Sequence, residues 1–257
     1  MGGRGTRRSG ISGPEMPATL RAHPELVGFP GLSRSGIAQV HIRPATLAAQ
    51  DEHSGENCTV VAGIILAAGR SVRMGTPKAL LPASPTESFV ARLLTTLRDG
   101  GIENPVVVGR PGDEQLRGEV ERQGGAYVVN PKADEGGQLS SLLAALSACD
   151  RAHLRGVMVV PVDAPLVSPS TIATLLAVFD ATLAPVVRAR YQGRNGHPVI
   201  FSRGVFDELR CADPATGAKS VVHAHQQTIL NVDVDDPGVV GDVDTPESYR
   251  AMFGRDP

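Results

Sequence analysis

The sequence predicts an α/β fold of three layers, with a mainly parallel sheet between two layers of helices. From residue 59 onward, short apolar runs alternate with amphipathic stretches of helical length, as in sheets whose parallel strands are joined by helices. The runs are continuously apolar, as expected when both faces of a sheet are covered. Hydrophobic residues make up 41% of the 257 residues, enough for a sizeable core. We expect one domain over residues 59–253 and a short tail over residues 254–257.

In the first half of this domain, three apolar runs are expected to be strands, and two stretches between them helices. The runs at residues 59–66 (TVVAGIIL) and 105–108 (PVVV) are rich in β-branched residues, which favour buried strands. Residues 89–97 place Phe and Leu side chains on one helical face, and residues 114–123 predict a polar helix. Residues 126–129 (AYVV) follow as the third strand.

The second half of the domain continues the same alternation. Leucines at helical intervals predict a helix over residues 139–146, and residues 157–162 (VMVVPV) predict a buried strand. Ser168 is the expected N-cap of the next helix, which extends to Phe179. The remaining expected elements are strands at residues 184–187, 198–201 and 229–232, a short helix at residues 205–209 and a helix that begins at Thr245-Pro246.

Residues 1–58 differ from the rest of the chain, and we expect them to form a disordered leader rich in Arg, Gly and Pro. Residues 1–50 contain six Arg against only Glu15 and Glu25, with no sustained apolar period. Such a stretch buries too little apolar surface to offset the entropy lost on ordering. The alternatives are a functional basic arm, or a native start at the internal Met16.

The overall composition excludes several classes of protein. The formal charge is −2, aromatic residues make up 4% and Trp is absent, so we expect no nucleic-acid partner. No apolar run reaches the length of about 18 residues that a membrane span needs. The three Cys are far apart and form no CxxC pair, which indicates reduced thiols and a cytoplasmic location.

The first expected strand ends in a loop that is suited to phosphate. Ligands gather at the carboxyl ends of parallel strands, and residues 67–78 (AAGRSVRMGTPK) follow the first strand directly. Small residues let backbone N–H groups approach an anion, while Arg73 and Lys78 add two positive charges. Pro77 and Ala79 flank Lys78, which excludes the Walker A motif. A plain strand-to-helix turn is the alternative, and the two cations favour the phosphate loop.

At this loop the chain resembles the MobA-like NTP transferases, and among them most closely the molybdenum cofactor cytidylyltransferases. The resemblance extends over residues 60–253 and implies a Rossmann-like nucleotidyltransferase fold. The segments that carry it are residues 66–82 (LAAGRSVRMGTPKALLP), 130–142 (NPKADEGGQLSSL), 162–167 (VDAPLV), 196–201 (GHPVIF) and 241–249 (GDVDTPESY). It implies that the nucleotide is held by the loop backbone and its cations, here Leu66, Ala67, Ala68, Gly69, Arg73 and Lys78.

Asp163 is the first candidate ligand for a metal ion. It follows the strand at residues 157–162, and Pro161 and Pro165 stiffen the segment around it. An N-cap is the alternative role, but Ser168 already fills that position. Mg²⁺ prefers one or two carboxylates together with substrate phosphates, and the resemblance implies the same role for this residue.

The segment Asp242-Val243-Asp244 is the second candidate, because alternation along an extended chain puts both carboxylates on one face. The resemblance implies that this motif supplies another metal carboxylate, with Asp244 preferred over Asp242. The expected metal is Mg²⁺, or Mn²⁺ in its place.

Three further residues are candidates for binding the acceptor substrate. His197 follows Asn195-Gly196 and precedes an expected strand, and it has either a structural role or, as the resemblance implies, a place beside the acceptor. Ser140 and Ser141 lie at the start of an expected helix, where they either cap the helix or contact a phosphate. The resemblance is not exact in this segment, because Gln138 stands at a position where members of the resembled family often have Met.

Together these features predict a nucleotidyltransferase that uses Lys78, Arg73 and Asp163 in catalysis. It would move a nucleoside monophosphate from an NTP to a phosphorylated acceptor and release pyrophosphate. By resemblance the donor is CTP, the acceptor is molybdenum-bound molybdopterin, and a molybdoenzyme or its cofactor-maturation chaperone is the protein partner. The alternatives are transfer from GTP, another phosphorylated acceptor, and a non-catalytic carrier of the cofactor.

Overall fold

The computed structural model describes residues 1–2, 39–41 and 60–257. The expected leader falls almost entirely outside these residues and stays a prediction, although Gln39–His41 form a short strand that the sequence analysis did not anticipate. The strands described are β1 (Gln39–His41), β2 (Val60–Leu66), β3 (Pro82–Ser84), β4 (Glu87–Ser88), β5 (Val106–Gly109), β6 (Ala126–Val129), β7 (Leu154–Pro161), β8 (Val186–Tyr191), β9 (Arg194–Ser202) and β10 (Leu230–Asp233).

Eight of these described strands form one sheet in the order β1-β10-β8-β9-β7-β2-β5-β6, while β3 and β4 form a separate small hairpin. β9 runs antiparallel to both of its neighbours, β7 and β8. The other neighbouring pairs in the large sheet are parallel. The expected mainly parallel sheet is therefore confirmed, and the carboxyl ends of β2 and β7 meet at one edge because Leu66 pairs with Pro161.

Helices cover both faces of the sheet and complete the three expected layers. They are α1 (Phe89–Asp99), α2 (Glu114–Arg122), α3 (Gly137–Cys149), α4 (Pro169–Thr182), α5 (Phe206–Cys211), α6 (Lys219–Ala224) and α7 (Pro246–Phe253). One core cluster joins the sheet to α1, α2, α4 and α7, and a second joins its other face to α3, α5 and α6. Ser168 caps α4 as expected, since its hydroxyl accepts the N–H of Thr171.

The largest difference from the sequence analysis is the hairpin of β8 and β9. The sequence predicted two separate strands at residues 184–187 and 198–201, but the strands extend to Tyr191 and back to Arg194 and meet at Gln192-Gly193. Both turn residues have positive φ, 47° and 78°, as in the tight turns that join antiparallel strands. Next to the turn, both strands contain Arg or Asn rather than a continuous run of apolar residues, so a search for apolar runs does not detect these parts of the strands. His197 therefore lies inside β9 rather than before a strand.

Helix α7 fixes the end of the chain against α1. Tyr249 is fully buried, its ring packs 4.8 Å from that of Phe253 and 6.0 Å from that of Phe89, and its hydroxyl donates to Pro82 O at 2.6 Å. A capping box between Thr245 and Ser248 begins the helix. Asp244 directly precedes that cap, so the docking of α7 determines where this carboxylate lies. Within the described part of the chain, every helix is too short or too polar to cross a lipid bilayer.

Candidate active site

The loop after β2 offers unpaired backbone N–H groups at the carboxyl edge of the sheet. Its start is held in place because Ala67 N–H donates to Val108 O at 2.9 Å. Among the described residues, the N–H groups of Ala68, Gly69 and Arg70 make no hydrogen bond. A Cβ atom at Gly69 would meet nothing within 4 Å. The loop is therefore open on the side where the sequence predicts a phosphate-bearing ligand.

The second half of this loop is folded around Ser71. Ser71 has a φ of 50°, its carbonyl accepts the N–H groups of Met74 and Gly75, and its hydroxyl accepts Lys78 N–H at 3.1 Å. Gly75 has a φ of 77°, a conformation that glycine adopts without strain. This turn leads into a short 3-10 segment, Lys78–Leu80, and so fixes the backbone from which the Lys78 side chain extends.

Two cations and two carboxylates from distant parts of the chain meet at this point. Lys78 Nζ lies 3.1 Å from Asp163 Oδ2 and also donates to Asp244 Oδ1. Arg73 Nη2 donates to Asp244 Oδ2 at 2.9 Å. The Lys78 side chain is only 11% exposed, whereas that of Arg73 is 70% exposed. Lys78 is thus a fixed charge inside the cluster, and Arg73 reaches it from solvent.

The backbone brings Asp163 and the Asp242–Asp244 segment together. Val243 N–H donates to Asp163 O at 2.8 Å, and the Val243 side chain is buried. The residues on either side of Val243 in the chain are Asp242 and Asp244, so this bond holds both of them close to Asp163. The hydrogen bond from Lys78 is the main cause that lowers the pKa of Asp244. Desolvation, followed by the charges of Asp163 and Asp244, raises the pKa of Asp242. Three acidic groups therefore repel one another here, and Lys78 relieves part of that repulsion.

Two cavities open beside this cluster and share Ser71, Lys78 and Asp163. The first has a volume of about 220 Å³ and also has Arg73 and Asp244 in its wall. The second has a volume of about 230 Å³ and is lined by the loop after β2, the start of α3 and the end of β7. The predicted site residues in that second wall are Leu66, Ala68, Gly69, Lys78, Ser141 and Asp163. Ala67 is buried and does not line either cavity.

Asn130 holds the two candidate serines. Its side-chain N–H group donates to Ser140 Oγ at 2.8 Å and to Ser141 Oγ at 3.0 Å, and only 2% of Asn130 is exposed. Neither hydroxyl caps α3, because Gly136 occupies the N-cap position without a side-chain bond. Ser141 faces the cavity that it shares with the loop after β2, while Ser140 bonds to Lys132 O and Gly137 O. Asn130 was not a candidate in the sequence analysis, although it follows β6 directly.

His197 lies within electrostatic range of Asp163, but it lines neither cavity. Its Nδ1 atom is buried and has no hydrogen-bond partner among the described residues. Burial is the main cause that lowers the pKa of His197, Asp163 opposes that shift, and Arg188 adds to it. The neighbouring Gly196 allows this packing, because a Cβ there would lie 1.9 Å from Val239 O.

A separate ion cluster joins the loop after β2 to the loop before α3. Arg70 makes two contacts of 2.8 Å with the carboxylate of Asp134, and Arg110 also pairs with it. The hydrogen bonds from Arg70 and then Arg110 hold the pKa of Asp134 well below its usual range. No sequence motif signalled this pairing, which ties together the two loops that border the second cavity.

The residues present fit a divalent cation only in part. No three His, Cys, Asp or Glu side chains within the described ranges are grouped closely enough to enclose a metal ion. The Lys78 contacts do show that oxygens of Asp163 and Asp244 lie on either side of one positive charge. Mg²⁺ usually takes one or two protein carboxylates and completes its shell with water and phosphate, and this pair meets that requirement.

The chain is similar in sequence to proteins of a known family. The model of the MobA-like NTP transferase domain matches residues 63–229. The chain belongs to this family. It is 37% identical over 204 residues to the molybdenum cofactor guanylyltransferase of Xanthomonas euvesicatoria pv. vesicatoria (strain 85-10), covering 76% of this chain and 95% of the relative. It is also 28% identical over 205 residues to the nicotine blue oxidoreductase of Paenarthrobacter nicotinovorans, covering 75% and 96%.

A solved structure supports the same assignment. The crystal structure of Rv0371c from Mycobacterium tuberculosis H37Rv matches with a TM-score of 0.67 and 30% identity, over 78% of this chain and all of Rv0371c. A manganese complex of Rv0371c matches with a TM-score of 0.63 and 27% identity, over 77% and 100%. The nucleotidyltransferase fold and the predicted family are therefore confirmed.

Proposed function

We propose that this protein transfers a nucleoside monophosphate from an NTP to a phosphorylated acceptor and releases pyrophosphate. The observation that carries the proposal is the junction of the open loop after β2 with Lys78 and Asp163, from which both cavities extend. One cavity can hold the donor and the other the acceptor, so that both reach the same fixed charge.

In this proposal the loop and its cations bind the triphosphate of the donor. The N–H groups of Ala68 and Gly69, which make no hydrogen bond to the described residues, would bind the phosphate oxygens, and the rest of the nucleotide would lie along Leu66, which lines the second cavity. Arg73 can move because it is exposed, so it can exchange Asp244 for a phosphate oxygen. Lys78 is already in place and stabilises the charge that develops on the transferring phosphoryl group.

The protein contributes to the transfer mainly by positioning the reacting groups, rather than by forming a covalent intermediate. An oxygen of the acceptor phosphate forms a bond to the α-phosphorus, while the bond from the α-phosphorus to the bridging oxygen of the β-phosphate breaks. The electron pair of that bond leaves with pyrophosphate. Lys78, Arg73 and Asp163 hold the reacting groups in line.

We propose Asp163 and Asp244 as ligands for Mg²⁺ or Mn²⁺, with Asp242 as the alternative or additional carboxylate. When bound, such an ion neutralises charge on the phosphates. The manganese complex of the similar Rv0371c supports this assignment. The raised pKa of Asp242 also indicates a site that favours an additional positive charge.

For the substrates, we propose CTP as the donor and molybdenum-bound molybdopterin as the acceptor, bound near Ser140, Ser141 and His197. This follows from the resemblance to cytidylyltransferases. A transfer from GTP is the second candidate, because the Xanthomonas relative is named a guanylyltransferase. A cytoplasmic location, and delivery to a molybdoenzyme or its chaperone, belong to the same proposal.

A panel of reactions tests these choices. Purified protein is mixed with Mg²⁺, one of the four NTPs and molybdenum-bound molybdopterin, and the release of pyrophosphate is measured. We expect release with one pyrimidine nucleotide, CTP, and none without acceptor. Release with GTP alone would select the second candidate. Tight binding of the cofactor without pyrophosphate from any NTP would instead support a non-catalytic carrier, and a Lys78→Met variant is the matched control for background hydrolysis.

A further inference from the structure

A group of polar side chains lies on β8, β9 and β10, beyond the residues discussed so far. Arg188 of β8 pairs with Asn231 of β10 on one side and with Val199 of β9 on the other. His197 lies in the bulged segment of β9 between Val199, which pairs with Arg188, and Asn195, which pairs with Arg190, and Arg188 shares a face of the sheet with its partner Val199. This is the face that carries Val199 in the second core cluster, and it continues toward the carboxyl edge of the sheet.

Among the described residues, no carboxylate pairs with the guanidinium of Arg188. Its Nε and Nη2 atoms both donate to Asn231 Oδ1, at 3.0 and 2.8 Å, and Asn231 is neutral. None of the ion pairs within the described residues involves Arg188. Its neighbour on the same face, Arg190, forms a two-pronged pair with Asp233 at 2.6 Å. The strand therefore carries one compensated and one uncompensated guanidinium, side by side.

Burial makes this difference costly. Desolvation, followed by the charge of Arg190, lowers the pKa of Arg188, and the side chain is partly buried. Partial burial of a cation without a counter-charge costs the fold free energy. An anion bound at Arg188 would remove that cost, and a guanidinium fits two oxygens of a phosphate group better than any other side chain does.

His197 supplies a second, independent sign of a missing ligand. Its buried Nδ1 has no partner in the described part of the chain, although buried polar atoms are normally hydrogen-bonded. The charges of both Arg188 and Asp163 act on this imidazole, so both groups lie within electrostatic range of it.

We propose that Arg188 and His197 form a subsite for the phosphate monoester of the acceptor, and that Asn231 positions the guanidinium. This rests on the proposed nucleotidyl transfer, in which an acceptor phosphate must lie near Asp163. Arg188 donates to two phosphate oxygens, and the imidazole N–H of His197 donates to one of them. The subsite selects phosphorylated acceptors over their dephosphorylated forms.

Steady-state kinetics test the role of Arg188 in the full chain. In Arg188→Met we expect the KM for the acceptor to rise about ten- to a hundred-fold, the loss typical of a hydrogen bond to a charged group. The dissociation constant for the NTP should stay within a few-fold. Arg188→Lys should recover part of the affinity, since it keeps the charge but loses the fork. Arg203→Met is the matched control, because Arg203 bonds to Arg151 O and Leu154 O at the opposite end of β9. Equal acceptor KM values in Arg188→Met and Arg203→Met would overturn the proposal.

A binding measurement separates failure of this subsite from failure of the proposed reaction. Inorganic phosphate is titrated into the protein, and the imidazole NMR signals of His197, assigned with His197→Gln, are followed. We expect a saturable shift in the wild type and in Lys78→Met, and none in Arg188→Met. A shift that disappears in Lys78→Met but persists in Arg188→Met would locate the phosphate in the loop after β2 and refute the subsite. No shift in the wild type would refute it as well. If the expected shift is observed but the protein has no transferase activity, the phosphate subsite is supported and the proposed nucleotidyl transfer is refuted.

Discussion

Replacing Lys78 with Met would test the central ion cluster, because Met keeps most of the unbranched side chain and removes the ammonium group with its charge and its hydrogen-bond donors. In the wild type, one ammonium group is shared by Asp163 at 3.1 Å and by Asp244. In the variant, these two carboxylates face each other, and Arg73 is the cation that still contacts Asp244. We expect weaker NTP binding and a fall in kcat/KM of at least about 10²–10³-fold, the usual effect of losing one electrostatic contact in the transition state.

The stability change can be worked out from the same contacts. A hydrogen bond to a charged group contributes about 1.5–3 kcal/mol when it is shielded from water. Here the Asp163 and Asp244 side chains are 24% and 34% exposed, so water replaces part of what is lost. We therefore expect a net loss of about 1–2 kcal/mol in the free energy of unfolding. For a domain of this size, that corresponds to a fall of about 2–8 °C in Tm.

The pH dependence gives this prediction its sharpest form. Lys78 is the main cause of the lowered pKa of Asp244. A carboxyl whose pKa is lowered by folding contributes stability above its unfolded pKa, about 3.9, and that contribution is lost as the pH falls through the folded pKa. The difference in Tm between wild type and Lys78→Met should therefore be full at pH 7 and shrink below about pH 4.

Thermal unfolding between pH 3 and pH 7, together with calorimetric NTP titrations, provides the measurement. Lys219→Met, in α6, is the control, since Lys219 takes part in none of the ion pairs of the described residues. A Tm unchanged at pH 7, or a difference that stays constant down to pH 3, would show that Lys78 does not stabilise the two carboxylates. Normal NTP affinity in the variant would remove Lys78 from the nucleotide site.

Three other perturbations have definite expected outcomes. Asp163→Asn should reduce turnover about 10²–10³-fold with an unchanged circular dichroism spectrum; full activity, or activity in excess chelator, would contradict the proposed metal site. Asp236→Ala should lower the free energy of unfolding by about 2–4 kcal/mol, because this buried carboxylate accepts from Ser168, Thr171 and Gly238, while the kcat of the folded fraction stays near that of the wild type. A chain that begins at residue 56 lacks β1, a three-residue strand at the end of the sheet, and should keep its turnover and its Tm within a few degrees; a large fall in either would show that β1 or the rest of the leader stabilises the domain.

Much of the fold could be predicted from local patterns. The expected helix at residues 114–123 is α2 (Glu114–Arg122), and the expected strand at residues 126–129 is β6 (Ala126–Val129). Such elements are encoded by the spacing of apolar residues and by caps within a few positions, so a short window of sequence contains the necessary information.

The hairpin of β8 and β9 shows where that reasoning fails. Val186 and Phe201 face the core and were found, whereas Arg188, Arg190 and Arg194 were not assigned to strands. These residues are partly buried or exposed, so they need not be apolar, and binary patterning cannot detect them. The same reason explains why Arg188 was absent from the candidate site residues, whereas the role of Asn130 depends on contacts with Ser140 and Ser141 that exist only in the folded chain.

The sequence by itself determined the family of the chain, most of the core strands and helices and the identity of the loop after β2, because each of these depends on residues close together in the chain, whereas β1, β3, β4 and α6 were not predicted. Only the tertiary structure decided which charges meet. Lys78 and Asp244 are 166 positions apart, and their contact depends on the bond between Val243 and Asp163 and on the docking of Tyr249 beneath Pro82. Arg188 and Arg190 are identical residue types two positions apart, yet only one faces a carboxylate, because their partners come from β10. Charge pairing is a property of distance in space, and only the packing of the sheet and α7 creates those distances.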